Sequence, residues 1–316
     1  MSTYQKCRTG GFMWDRIVFF ELGHYGDLHI TRNFVKYVID AIPARKYVYV
    51  LTIDSKVLSD IPKLTFEKHD LTIHPFTIYG PSFARDNTLY FNTSCGANTM
   101  FLYNGTTAQT AHAIFKYYLK TLCNHNINEH LSIFVPSINF NKFKVHNVDV
   151  FMDLHEGKKK ILIVNGDTQS GQVLNFDMYP LIQILAYNHP DYMFFLSNPP
   201  TSLVHSHNKV EGVDKTLESN IFVCRDIIDI PENDIVETAY FSSFCDVIIG
   251  RTSGVYTLSI EKRNVIDHPK KFICISHTER DKDMGMSILY PHLAENFIWT
   301  NTFNFGHIVN LIEQHI

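Results

Sequence analysis

The sequence lacks any apolar run of about 18 residues, so no membrane-spanning helix is expected. Its opening stretch, MSTYQKCRTGGFMWDR, lacks the continuous apolar segment of a signal peptide, and a cytoplasmic protein is expected. Neither charge is in excess. Lys and Arg number 28 against 32 Asp and Glu, a formal net charge of −4, which argues against nucleic acid as a bulk electrostatic partner. The six cysteines (Cys7, Cys95, Cys123, Cys224, Cys245, Cys274) form no CxxC pair, so neither a disulfide framework nor a zinc site is expected. Several sit in apolar segments, where a buried thiol is the ordinary state. No GxGxxG follows either first strand, which disfavours a nicotinamide or flavin dehydrogenase, and neither HExxH nor a GxSxG nucleophile elbow occurs.

Core-forming residues are plentiful: 45% of the chain is hydrophobic and 19% charged. The 316 residues predict about two domains. DRIVFFEL (15–22) reads as a buried strand. A helix follows over 28–42, with Ile30, Phe34, Val38 and Ala41 spaced by three and four and Pro43 as its stop. KYVYVLTI (46–53) is a second buried strand, which makes a βαβ unit and a parallel sheet. LTIHPFTIYG (71–80) and NTLYFNTS (87–94) read as short strands, and LSIFVPS (131–137) as another. Between them, Ala111, Ile114, Phe115, Tyr118, Leu119 and Leu122 form one apolar stripe, predicting a helix over 107–123. The polar, charged stretch 139–160 reads as an interdomain linker.

The alternation then restarts. Strands are expected at 159–166, 192–198, 220–225, 245–250 and 271–276, with helices at 176–187, 252–263 and 304–316. Pro231 is expected to open a further helix, with Glu232 and Asp234 in its first turn. The expected architecture is α/β: two Rossmann-like αβα domains facing across a cleft, over 1–150 and 151–303. Ligands of open α/β sheets bind beyond the carboxyl ends of strands, so the loops after Leu22, Asn165 and Gly250 are the places to look.

GRTSGVY (250–256) follows a fully apolar strand. Gly250 and Gly254 would let a ligand approach the backbone, Thr252 or Ser253 would cap the next helix, and its free N–H groups would bind an anion, phosphate above all. Arg251 adds a charge and a fork of donors. The bland alternative is an ordinary helix start beside a surface arginine. VNGDTQSGQV (164–173) has the glycine spacing of a Walker A loop at Gly166 and Gly171, but Gln172 and Val173 stand where Lys and Ser/Thr are needed. An ATPase is therefore disfavoured, while Gly166, Asp167 and Thr168 remain a loop able to line a phosphate or sugar. Arg225 lies beyond another strand of this half, where a nucleotide base could sit, although an ordinary loop with an acidic helix start explains the same residues.

ELGHYGDLHITRNFV (21–35) closes the first strand. Gly23 and Gly26 tighten the turn, and Asp27 lies at the start of a helix. Aspartate is a good helix cap. It could equally be a general base, with His24 and His29 as nearby alternatives suited to proton transfer near neutral pH. Three other motifs carry nothing. VHSHN (204–208) lacks a third metal ligand, and NTS (92–94) and NGT (104–106) are glycosylation sequons without meaning absent secretion.

Together these pieces resemble the GT-B fold of glycosyltransferases, nearest to the heptosyltransferase-like group. That group's first βα turn carries small residues, then Gly-Asp, a hydroxyl residue and an amphipathic helix; GHYGDLHITRNFV matches through Gly26 and Asp27. Its second domain has a Thr/Ser-Gly turn that meets the donor phosphates; DVIIGRTSGVYTL matches through Thr252, Ser253 and Gly254. The sequence differs in three places. Arg32 and Asn33 stand where a proline is usual, Tyr256 and Thr257 where a histidine is usual, and no lysine lies near Gly166. The resemblance implies that Asp27 is the catalytic base and that the last helix, 304–316, crosses back to the first domain.

The expected function is inverting, metal-independent sugar transfer from a nucleotide-diphosphate sugar to a carbohydrate or glycan hydroxyl. Gly26 and His29 would lie on the acceptor side, and no cofactor is expected beyond the nucleotide sugar itself. A nucleotide-sugar epimerase on the same fold and a non-catalytic nucleotide- or sugar-binding protein are the alternatives.

Overall fold

A computed structural model of the protein describes residues 13–21, 24–70, 74, 81–94, 107–127, 135–168, 175–200, 218–231, 233–289, 291–302 and 304–316. The chain divides into two compact units, Met1–Ile138 and Asn139–Ile316. The expected strands within 71–80 and 131–137, Gly23, Gly171, Glu232 and the motifs at 104–106 and 204–208 lie wholly or mostly outside the described residues.

The first unit is built on β1 (Trp14–Phe20), α1 (Tyr25–Ala41), β2 (Ala44–Leu51), β3 (Leu64–Lys68), β4 (Phe83–Arg85), β5 (Thr88–Asn92) and α2 (Thr107–Cys123). The sheet order is β3-β2-β1-β5-β4. Every pairing is parallel except β4 with β5, an edge hairpin turned by Asp86 and Asn87 at φ 48° and 57°. Strand alternation sorts the core. Phe19, Tyr49 and Phe91 stack on one face, with Phe19 5.9 Å from Phe91 and 6.0 Å from Tyr49. Phe34 of α1 meets Phe91 edge-on and stacks on Phe115 of α2 at 3.6 Å, so one aromatic locks both helices to the sheet. Val18, Phe20, Val48 and Val50 form the opposite face. The helix over 107–123 falls where the apolar stripe placed it, and α1 begins three residues earlier than the sequence suggested.

The second unit has α3 (His146–Asp153), β6 (Lys160–Val164), α4 (Tyr179–Asn188), β7 (Met193–Leu196), β8 (Ile221–Val223), α5 (Cys224–Ile228), α6 (Ile235–Tyr240), β9 (Val247–Arg251), α7 (Gly254–Ser259), β10 (Lys271–Ile275), α8 (Met286–Leu289), β11 (Phe297–Thr300) and α9 (Phe305–Glu313). The sheet order is β11-β10-β9-β6-β7-β8, all parallel. Ile161, Ile163, Phe194, Leu196, Ile249 and Ile273 meet α4 and α9 on one face. Phe195 and Phe222 meet Phe151 and Phe241 on the other, a helical layer on each side of one sheet.

Three expectations are corrected here. The stretch read as a linker belongs to the second unit, which begins at Asn139 rather than near 151. Phe140 packs on Tyr240 at 4.7 Å, Val148 and Met152 are buried, and Asn147 Nδ2 donates to Ile228 O at 3.2 Å. The closing helix spends its apolar face inside its own unit. Ile308 and Ile312 are fully buried in the second unit's own core, roughly 1.5–3 kcal/mol each. Glu313 further ties α9 to Asn188 and His189 at the end of α4, at 2.9 and 2.5 Å. Finally, the helix expected over 252–263 stops at Ser259 and gives way to a π-turn over Arg263–Asp267, while the helix after Pro231 starts only at Ile235. Among the described cysteines, Cys123, Cys224, Cys245 and Cys274 are free thiols, and the last three are buried as expected.

Candidate functional site

Each sheet reverses its winding order at its first strand, β1 between β2 and β5, β6 between β7 and β9. Such switch points leave a crevice beyond the strands' carboxyl ends.

In the first unit, Phe20 O at the end of β1 accepts from Thr93 N–H at 3.0 Å and from the Thr93 hydroxyl at 3.2 Å. The Tyr49 hydroxyl bonds the same Thr93 oxygen at 2.5 Å. Asn92, Thr93 and Ser94 are buried, so this sequon is part of the scaffold. Just past β1, the buried Glu21 accepts the His24 N–H at 3.4 Å. His24, not Asp27, is the residue that caps α1; its carbonyl receives Leu28 N–H at 3.1 Å, while its side chain makes no cap bond and is exposed.

Asp27 therefore sits in the first turn of the helix, at its third residue, with Gly26 just before it. It is half-buried, and among the described residues no hydrogen bond holds its carboxylate. Burial pushes its pKa above the ordinary carboxylate value, and the nearby His24 partly opposes the rise. A more basic carboxylate is better matched to taking a proton near neutrality. His29 is a correction: it is fully buried on the inward face of α1 and offers no surface to an acceptor.

In the second unit, the β6 loop and the β9 turn are joined by Arg251. Only 1% of this side chain is exposed. Nη1 donates to Phe176 O at 3.1 Å, Nη2 donates to Asn165 O, and Nη2 also lies 3.2 Å from Asp167 Oδ1. The guanidinium sits over the Phe176 ring, 5.4 Å from its centroid. Burial holds its pKa below the ordinary arginine value, against the pull of Asp167 and Asp177. Arg251 is thus an interior clamp and not the surface arginine of the bland alternative.

Gly250 is corrected as well. A Cβ there would lie 2.7 Å from Val164 Cβ and 2.8 Å from Val164 O, so the backbone it admits is the neighbouring strand's, not a ligand's. Thr252 is buried with its hydroxyl 3.4 Å from Cys274 Sγ, which turns it inward. Tyr256 is buried and donates to Lys282 O at 2.9 Å.

Ser253 and Gly254 remain half-buried at the start of α7. Ser253 N–H donates to Arg251 O at 2.7 Å, which makes the turn tight, and the Ser253 side chain leaves the helix start uncapped. The first N–H groups of α7 have no carbonyl partner within the helix.

Across the switch point, Asp167 is largely exposed. Thr168 is pinned by Asn175, whose Oδ1 accepts from Thr168 N–H at 2.9 Å and whose Nδ2 donates to Thr168 O at 2.9 Å. The sequence reading missed Asn165, Ser197 and Asn198. Asn165 Oδ1 accepts from the Ser197 hydroxyl at 3.1 Å and from Asn198 N–H at 2.9 Å, tying β6 to β7. Polar residues at two successive strand ends, IVNG and FLSN, were the available signal. Arg225 is not brought to this place. It stands after the edge strand β8, mostly exposed and 3.3 Å from Asp234. Among the described residues no three His, Cys, Asp or Glu side chains gather as a metal site, and no helix is long and apolar enough to cross a membrane.

No protein-family model matches this sequence, and no curated protein matches it. Solved structures do. The glycosyl transferase family 9 structure from Veillonella parvula DSM 2008 has a TM-score of 0.51 at 12% identity, covering 96% of this chain and 90% of that one. The E. coli ADP-heptose LPS heptosyltransferase II has a TM-score of 0.52 at 8% identity, covering 95% of this chain and 98% of that one. The likeness shows the fold, which is the GT-B fold expected from the sequence.

Proposed function

We propose that this chain moves a sugar from a nucleotide-diphosphate donor to an acceptor hydroxyl, with inversion and without a metal. The observation that supports this best is Asp27, a half-buried carboxylate with raised basicity beyond the first strand of a fold shared with glycosyltransferases. Asp27 takes the acceptor proton as the oxygen attacks the anomeric carbon, and the bond to the diphosphate breaks with its electron pair leaving on phosphate. Attack opposite the leaving group inverts the carbon. Exposed His24, at the cap of the same helix, is the alternative base.

The second unit holds the donor. Gly166 and Thr168 flank it on one side, and Ser253 and Gly254 with the free N–H groups of α7 meet its diphosphate on the other. Arg251 supplies the fixed positive charge that stabilises the leaving group. The E. coli neighbour is named for ADP-heptose, so ADP-sugars are the first donors to test.

The test is a panel of nucleotide sugars with glycan acceptors, following nucleoside diphosphate release with and without EDTA. Transfer predicts release that needs an acceptor and survives EDTA. An altered donor sugar without any acceptor would mean an epimerase, and binding without turnover a binding protein. A rate abolished by EDTA and restored by a divalent cation would remove metal independence.

A further inference from the structure

The Arg251 side chain is 1% exposed, yet Asp167, the one carboxylate in contact with it among the described residues, is 73% exposed. A buried cation whose counter-ion stands largely in water is an arrangement with little gain in stability from the pair itself. The other acid that acts on Arg251, Asp177, accepts Tyr179 N–H at 2.9 Å. The remaining donors are unevenly used. Nη1 and Nη2 face main-chain carbonyls, while the buried Nε has no hydrogen-bond partner among the described residues. The Asp167 carboxylate, 3.2 Å from Nη2, makes no other side-chain hydrogen bond or ion pair among the described residues. So one end of this contact is rigid and interior, and the other is free to leave.

We propose that Asp167 is a place-holding anion: at Nη2 of Arg251 it holds the position that a phosphate oxygen of the donor takes on binding, and the two anions compete for one guanidinium. This rests on the reading of the second unit as the donor side. A diphosphate carries more charge than a carboxylate and presents several oxygens to a planar fork, so it wins the exchange. Asp167 then swings into water, where it already mostly lies. The consequence is selectivity for charge. A neutral or singly charged ligand cannot displace Asp167, and a diphosphate can. Asp167 thereby weakens donor binding while sharpening it, the reverse of a residue that grips the donor.

The experiment is calorimetric titration of the wild type, Asp167→Asn and Arg251→Lys with ADP, GDP, UDP and CDP, with inorganic pyrophosphate, and with the matching uncharged nucleosides. Asp167→Asn is expected to tighten the diphosphate that the wild type prefers, and pyrophosphate with it, by about three- to tenfold, leaving the nucleoside unchanged. Arg251→Lys is expected to weaken the same diphosphate. Because Asp167 is mostly in water, its variant folds and carries the test whatever happens to the arginine variant. If the wild type binds a diphosphate and Asp167→Asn binds it equally or more weakly, the place-holder is overturned while the donor reading stands. A nucleoside gain as large as the diphosphate gain would also overturn it. If the wild type binds none of the diphosphates, the donor reading fails and takes this inference with it.

Discussion

The two switch points solve the same mechanical problem with different chemistry. In the first unit a neutral hydroxyl and N–H from Thr93 tie β5 to the end of β1. In the second a buried guanidinium ties β9 to the β6 loop and to Phe176. The neutral clamp adds no charge beside Asp27, and burial alone then raises that carboxylate. The charged clamp leaves a cation beneath the loop. The difference teaches that the proposed base side and the proposed donor side differ in what fastens each sheet as well as in the residues that face outward.

Substitutions can break this comparison, and they rank by the expected loss of stability. Arg251→Met leaves the Asn165 and Phe176 carbonyls without their charged donor, and we expect a loss of roughly 3 kcal/mol in a denaturant melt. Gly250→Ala drives a methyl into Val164 of the adjoining strand, a loss of about 1–3 kcal/mol by the same measurement. Thr93→Val removes one neutral hydroxyl from its partners and is expected to cost only about 1 kcal/mol. Equal losses for Arg251→Met and Thr93→Val would erase the distinction between the clamps.

Asp27→Asn has the opposite sign. The folded-state pKa of Asp27 is raised, so its ionisation opposes folding once the pH exceeds the ordinary carboxylate value. Replacing it is expected to raise the Tm at pH 7 and to have little effect near pH 3, read by thermal melts at both values.

Much of the fold was legible because its signals are local. β1, α1 and β2 follow from two apolar runs and a three-and-four spacing closed by a proline, and α2 from a single stripe. The misread stretch 139–160 hides Phe140, Val148 and Met152 among polar neighbours, and only their distant partners, such as Tyr240, make them core. Of the candidate site, the Gly26–Asp27 turn and the Ser253–Gly254 turn were readable as strand-end motifs. The fate of Arg251 was not. A strand-end arginine faces water or turns inward according to the carbonyls offered to it, and these come from positions 75 and 86 residues away. Thr252 and His29 were opaque for the same reason, since a short polar side chain does not announce which face it takes.

The most direct test of the central claim is the rate of transfer by Asp27→Asn, measured as kcat and kcat/KM across pH with donor binding titrated in parallel. The account predicts donor affinity unchanged, kcat lowered by about a hundredfold or more, and loss of a wild-type acid limb that lies above the ordinary carboxylate pKa. An Asp27→Asn protein that transfers sugar at the wild-type rate with the wild-type pH profile would contradict it.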